Sequence, residues 1–176
     1  MSRLPLVWGA TPAEVVRDYP ADGLIQGPAI AMTRAVSVAA SAETTWRWLC
    51  QLSVAPYSYD WIDNFGRRSP PRLTPDADVL VSGQKMVKVY DLVSFDAPHH
   101  WTGIAQGWLA VTYAVEADPH SDASCRLVCR ITAAAGAPLT RLRAQALAWG
   151  DLVMLRKQLL NLKSLAESAT KHADSR

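Results

Sequence analysis

Apolar and polar positions alternate most regularly at residues 124–134. There Cys125, Leu127, Cys129 and Ile131 fall on one side, and Arg126, Val128 and Arg130 on the other. The same period of two places Leu109, Val111, Tyr113 and Val115 on one face of a strand at 108–116. It also places Met32, Arg34, Val36 and Val38 on one face at 31–39. A strand or strand pair at 86–96 carries Val87, Val89, Val93 and Phe95 on one face, interrupted at Asp91. "HHWTGIA" predicts a further short strand. "DPHSDAS" has the composition of the turn between the last two strands.

Elsewhere the period is that of a helix. Thr11-Pro12-Ala13-Glu14 reads as a cap, a first-turn proline and a capping-box glutamate, and Pro20 keeps that helix short. Ser41 is placed to cap "AETTWRWLCQL", whose inner face takes Trp46, Leu49 and Cys50. The stretch "YSYDWIDNFG" predicts a second short helix ending at Gly66, with Tyr57, Trp61 and Phe65 in one row. On that reading Tyr57 and Trp61 turn inward and Asp60 and Asp63 face solvent. Residues 139–168 contain no proline and predict one long amphipathic helix. Its apolar stripes are Leu152, Leu155, Leu159, Leu162 and Ala166, and alongside them Leu142, Ala146, Trp149 and Val153. The order strand, two helices, antiparallel strands, long helix is α+β and not a βαβ winding.

Composition narrows the class. The 176 residues are 49% hydrophobic and 19% charged, as expected of one globular domain with a substantial core. We take residues 1–176 as a single domain with its core at about 30–168, an N-terminal extension at 1–29 and a tail at 169–176. No apolar run approaches the ~20 residues that span a bilayer, which argues against membrane insertion. The net charge of +2 is spread along the chain, which argues against nucleic acid as a partner. Three cysteines without a CxxC pair suit free thiols in the cytoplasm.

Taken in order, "RAVSVAASAETTWRWLCQL", "YSYDWIDNFGRR", "DLVSFDAP", "CRLVCRI" and "VMLRKQLLNLKSLAE" resemble the START-like, helix-grip (SRPBCC) superfamily, over about residues 7–167. That group includes polyketide cyclase/dehydrase-type and lipid-transfer proteins, and the likeness here is to bacterial members. The resemblance implies a curved antiparallel sheet wrapped around the C-terminal helix and enclosing an apolar cavity. It does not imply one chemistry.

The chain carries no GxSxG, HExxH, phosphate-loop or dinucleotide motif. His99 and His100 are adjacent and point to opposite faces of a strand, so no metal site is expected. Cys125 and Cys129 stand ~13 Å apart along a strand and read as small buried hydrophobes. No cofactor is implied. Asp91 is the carboxylate candidate, with a bulge that turns it outward as the favoured reading. Surface ion pairs are the favoured reading of Arg34 and Arg156. The expected ligand-binding residues are Tyr57, Trp61, Val89, Trp101, Leu109, Val111, Tyr113, Cys129, Trp149 and Val153. Three readings follow: a binding protein for a small hydrophobic, aromatic or lipid-like molecule; a cyclase or dehydratase using the same cavity; and a partner-binding protein whose cavity its own side chains fill. A buried titrating group in the cavity separates the second from the first.

Overall fold

A computed structural model describes residues 4–59, 61, 64 and 66–174. Seven strands form one sheet: β1 (Val7–Trp8), β2 (Ala29–Val38), β3 (Lys85–Met86), β4 (Tyr90–Asp96), β5 (His100–Ala105), β6 (Leu109–Asp118) and β7 (Ser121–Ala134). Their spatial order is β1-β2-β7-β6-β5-β4-β3, antiparallel throughout except for the parallel β1–β2 pair. Among the described residues the helices are α1 (Pro12–Val16), α2 (Ala42–Cys50) and α3 (Pro138–Asp174), with 3₁₀ turns at Pro20–Gly23 and Gln51–Ser53. The sheet is curved and unclosed, and α3 lies across its concave side. This is the α+β helix-grip architecture.

The strand periodicities translate into the two faces of the sheet. Met32, Val36 and Val38 of β2, Leu109, Val111, Tyr113 and Val115 of β6, and Cys125, Leu127, Cys129 and Ile131 of β7 are buried in one core under α2 and α3. Thr11 and Glu14 form the expected capping box on α1, and the Ser41 hydroxyl accepts a hydrogen bond from the Thr44 N–H at 3.1 Å to cap α2. The N-terminal segment covers the convex face. Tyr19 packs there on Ala35, Ala114 and Val128, and Glu14 and Asp22 pair with Arg126 and Arg130. The outward arginines of β7 are thus ligands for that segment.

Three expectations are corrected. First, the 86–96 stretch is two strands, folded back at residues 87–89, where Val87 and Lys88 take left-handed φ of 49° and 64°. A further slip lies between Leu92 and Ser94. A change of register moves alternate side chains to the other face. Before the slip, Tyr90 and Leu92 are the buried residues, and Val89, Val93 and Phe95 are exposed. Asp91 does point outward, as half of an ion pair with Lys85 at 2.7 Å, but the irregularity lies beyond it. Second, Tyr57 is not helical: its φ is 54°, and residues 55–57 are irregular. Asp60, Asp63 and Phe65 lie outside the described residues. Third, the inner face of α3 is set by Ala144, Ala148, Leu155, Leu159, Leu162 and Ala166. The small alanines let the helix settle close on the sheet, and that phase turns Leu142, Trp149 and Val153 outward.

Candidate functional site

A partly open chamber of about 580 Å³ lies between the sheet and α3. Its floor is Tyr90, Tyr113 and Ile131; its helix side is Asp151, Met154, Leu155 and Gln158; its rim is Pro56, Ser58 and the 87–89 turn. Each position follows from the local fold. Tyr113 and Ile131 are inward residues of adjacent strands, paired through Val111↔Ile131 and Tyr113↔Cys129. Tyr90 lies inward because of the turn before it. Gly103 on β5 makes room for it, since a Cβ there would stand 2.9 Å from the Tyr90 Cβ.

The inner stripe of α3 is interrupted by one carboxylate. Asp151 stands one turn before Leu155, with its side chain 15% exposed and its Oδ2 buried without a hydrogen-bond partner. Behind it lies Arg34, fully buried on β2. The Arg34 Nη1 donates to the carbonyls of Leu6 (2.6 Å) and Thr33 (3.3 Å), and Nη2 donates to that of Ala148 (3.3 Å). Its Nη2 is 3.7 Å from Asp151 Oδ2, an ion pair without a hydrogen bond, and its Nε is unpartnered. Burial pushes the Asp151 carboxyl up to about 7, against the opposing pull of Arg34. The group is thus poised to gain or lose a proton at neutral pH.

The other polar groups are held more firmly. The Tyr113 hydroxyl donates to Gln158 Oε1, and Gln158 Nε2 donates to the Pro56 carbonyl at 2.6 Å. Trp101 stacks on Tyr113 with centroids 4.7 Å apart. Burial pushes the Tyr90 and Tyr113 phenols well above their ordinary value, so both remain neutral donors. Lys88 reaches the chamber from the rim, and its Nζ donates to Asn64 Oδ1 at 2.5 Å.

Of the residues expected to bind ligand, Val89 and Tyr113 line this chamber. Trp101, Leu109, Val111 and Cys129 are packed into the core beneath it. Tyr57 is buried beside Trp48, its hydroxyl donating to the Pro70 carbonyl at 3.0 Å and its own carbonyl accepting from Asn161 Nδ2 at 2.9 Å. It ties the connector to α3. Trp61, expected to turn inward, is 75% exposed, and Trp149 and Val153 lie on the outer face of α3. Arg34, read as a surface ion pair, is the most deeply buried charge beside the site. Arg156 is exposed and lies over the Trp8 ring, 5.5 Å from its centroid. Asp151 was missed by the sequence reading. Its signal is a carboxylate three residues after Ala148 and four before Leu155, on the inward stripe of a long helix.

No protein-family model matches the chain, and no curated protein does. Solved structures are similar at a distance. One, from Thermobifida fusca, is 16% identical, with 77% of this chain and 94% of that one covered and a TM-score of 0.48. The protein XoxI from Bacillus cereus is 13% identical, with 76% and 93% covered and a TM-score of 0.47. A norcoclaurine synthase point mutant from Thalictrum flavum is 15% identical, with 76% and 96% covered and a TM-score of 0.40. Likenesses this distant carry no residue role to this chain. Among the described residues no helix is long and apolar enough to cross a membrane.

Proposed function

We propose that the chain binds a small, largely apolar molecule in the chamber between the sheet and α3. The observation that carries this is the chamber itself: about 580 Å³, of the size that small-molecule sites occupy, walled by Val89, Ile131, Met154, Leu155 and two tyrosine rings. Binding draws chiefly on apolar burial, at ~25 cal/mol per Å² removed from water. Asp151 and the Tyr90 hydroxyl orient the polar end of the ligand. Native mass spectrometry of gently purified protein is expected to retain a small molecule. Met154→Trp, which fills the chamber from the helix side, is expected to displace that molecule and to weaken uptake of the apolar fluorophore Nile red. Undiminished uptake by a folded Met154→Trp variant would exclude this site.

One observation favours a second reading, acid–base catalysis of the cyclase or dehydratase type. A carboxyl that titrates near neutrality inside an apolar chamber is suited to both halves of such a reaction. In its protonated form it donates to a carbonyl or to a departing hydroxyl. As the carboxylate it accepts the proton from carbon. The chamber supplies the fold of the substrate, and one residue supplies the proton transfer. Asp151→Asn separates the readings. Loss of turnover with retained binding assigns the chain to enzymes, and unchanged behaviour leaves it a carrier.

A further inference from the structure

The outer face of α3 changes character along its length. From 139 to 160, in steps of three and four residues, it presents Leu139, Leu142, Trp149, Val153 and Leu160, with Ala146 and Arg156 in the two remaining places. All seven are exposed, Leu139 by 77% and Trp149 by 58%. Farther along, the exposed positions turn polar, as at Ser164 and Lys171. The apolar part is ~32 Å long at a rise of ~1.5 Å per residue. It is narrow, confined to the a and d positions of three heptads, as in a coiled-coil seam. An amphipathic helix resting on a sheet or a bilayer has a broader arc, of about 100° or more. The partner that suits such a seam is one helix.

Charge selects the kind of helix. Arg141, Arg143, Arg156 and Lys157 are exposed along this stretch, and its only acidic residue, Asp151, faces the chamber. A second copy packed antiparallel about Trp149 would set Arg141 against Lys157 with no acid to offset them. Arg143 and Arg156 lie over the rings of Trp108 and Trp8, an arrangement that fixes a guanidinium while leaving its in-plane N–H groups free for a carboxylate. Gly150 adds an independent sign. A glycine inside a helix costs about 1 kcal/mol relative to alanine. Nothing lies within 4 Å of where its Cβ would be, so no packing within the chain requires it. It leaves the helix backbone bare beside Trp149, open to close approach from outside.

We infer that the outer face of α3 from Leu139 to Leu160 docks an amphipathic helix of another protein. That helix carries apolar residues at its a and d positions and Asp or Glu at the flanking positions. The surface faces away from the chamber, so it stands or falls separately from the ligand reading. The test uses the whole chain and two synthetic three-heptad peptides with leucine at a and d, one flanked by glutamate and the other by lysine, measured by calorimetry. The glutamate peptide is expected to bind one per chain and the lysine peptide not to bind. Trp149→Ala should weaken binding at least about tenfold, as loss of a central aromatic anchor does. Circular dichroism should show the fold of this exposed-site variant unchanged. Reversing the flank with Arg143→Glu and Lys157→Glu should transfer binding to the lysine peptide. The inference is overturned if the glutamate peptide does not bind, or binds Trp149→Ala equally well. It is also overturned if sedimentation shows a dimer that Trp149→Ala dissolves, which makes the face a self-interface. Adsorption to phosphatidylglycerol vesicles that requires Trp149, without peptide binding, would overturn it in favour of a lipid surface.

Discussion

Asp151 and Arg34 form a pair in which each group alters the other's ionisation. The folded-state value of Asp151, about 7, lies above the ordinary 3.8, so the group stabilises the fold fully below about pH 4. That contribution is lost as the pH rises towards 7 and stays lost above it. Asp151→Asn cannot ionise. Wild-type stability, measured as a urea midpoint, is therefore expected to fall relative to Asp151→Asn between about pH 4 and pH 7, by a few kcal/mol, and to run parallel above. Parallel curves throughout would mean that the carboxyl is solvated. Removing the cation has the opposite logic. Arg34→Met leaves the buried carboxylate unpaired, so Asp151 should titrate higher still, read by carboxyl NMR, with a stability loss of about 3 kcal/mol or more above neutral pH. An unmoved titration would show that Arg34 does not act on Asp151.

The elements owe their positions to a few residues of unusual size or conformation. Alanines at 144 and 148 bring α3 down on the sheet, and Arg34 donates to the Ala148 carbonyl at that close approach. On β5, Gly103 is the space into which Tyr90 fits. Gly103→Ala should push β4 away from β5 and displace Tyr90 from the chamber floor. The expected cost is about 1–3 kcal/mol, typical of overpacking, together with weaker Nile red uptake. A variant of unchanged stability and uptake would show that β4 gives way freely. The turn at 87–89 has the larger consequence, since its two left-handed residues decide that Tyr90 and Leu92, and not the valines, face inward.

At the scale of the whole molecule, the convex face is held by ion pairs and the concave face by apolar packing. Burial alone would raise the Glu14 carboxyl, but hydrogen bonds from Arg126 and Thr11 outweigh it and hold the group below its ordinary 4.5. Asp22, half-buried, is held below 3.8 by Arg130 and Thr132. Such groups stabilise the fold above their unfolded values, and the contribution is lost as the pH falls through the lower folded ones. The N-terminal segment is therefore expected to loosen in acid before the core does. Hydrogen exchange at residues 11–23 should accelerate below about pH 4 while β6 and β7 remain protected. Simultaneous exposure of both would mean that the segment is not a separate unit.

The amino-acid sequence by itself determined the class of fold. The inward sets on β2, β6 and β7, the cap residues Thr11 and Ser41, and the switch from period 2 to period 3.6 after Pro138 are local patterns, because each records what one element must bury. The outward Arg126 and Arg130 were legible as polar positions, but not as the anchors of the N-terminal segment. The site was much less legible. Of the expected ligand residues only Val89 and Tyr113 line the chamber, since its walls depend on helix phase and strand register. Two apolar stripes on α3 were both consistent with burial, and the sheet's contact with Ala144 and Ala148 chose the inner one. The Arg34–Asp151 pair joins residues more than a hundred positions apart. Neither one is informative alone, and only the packing of α3 on β2 brings the two charges together and strips them of water, which moves the Asp151 carboxyl to about 7.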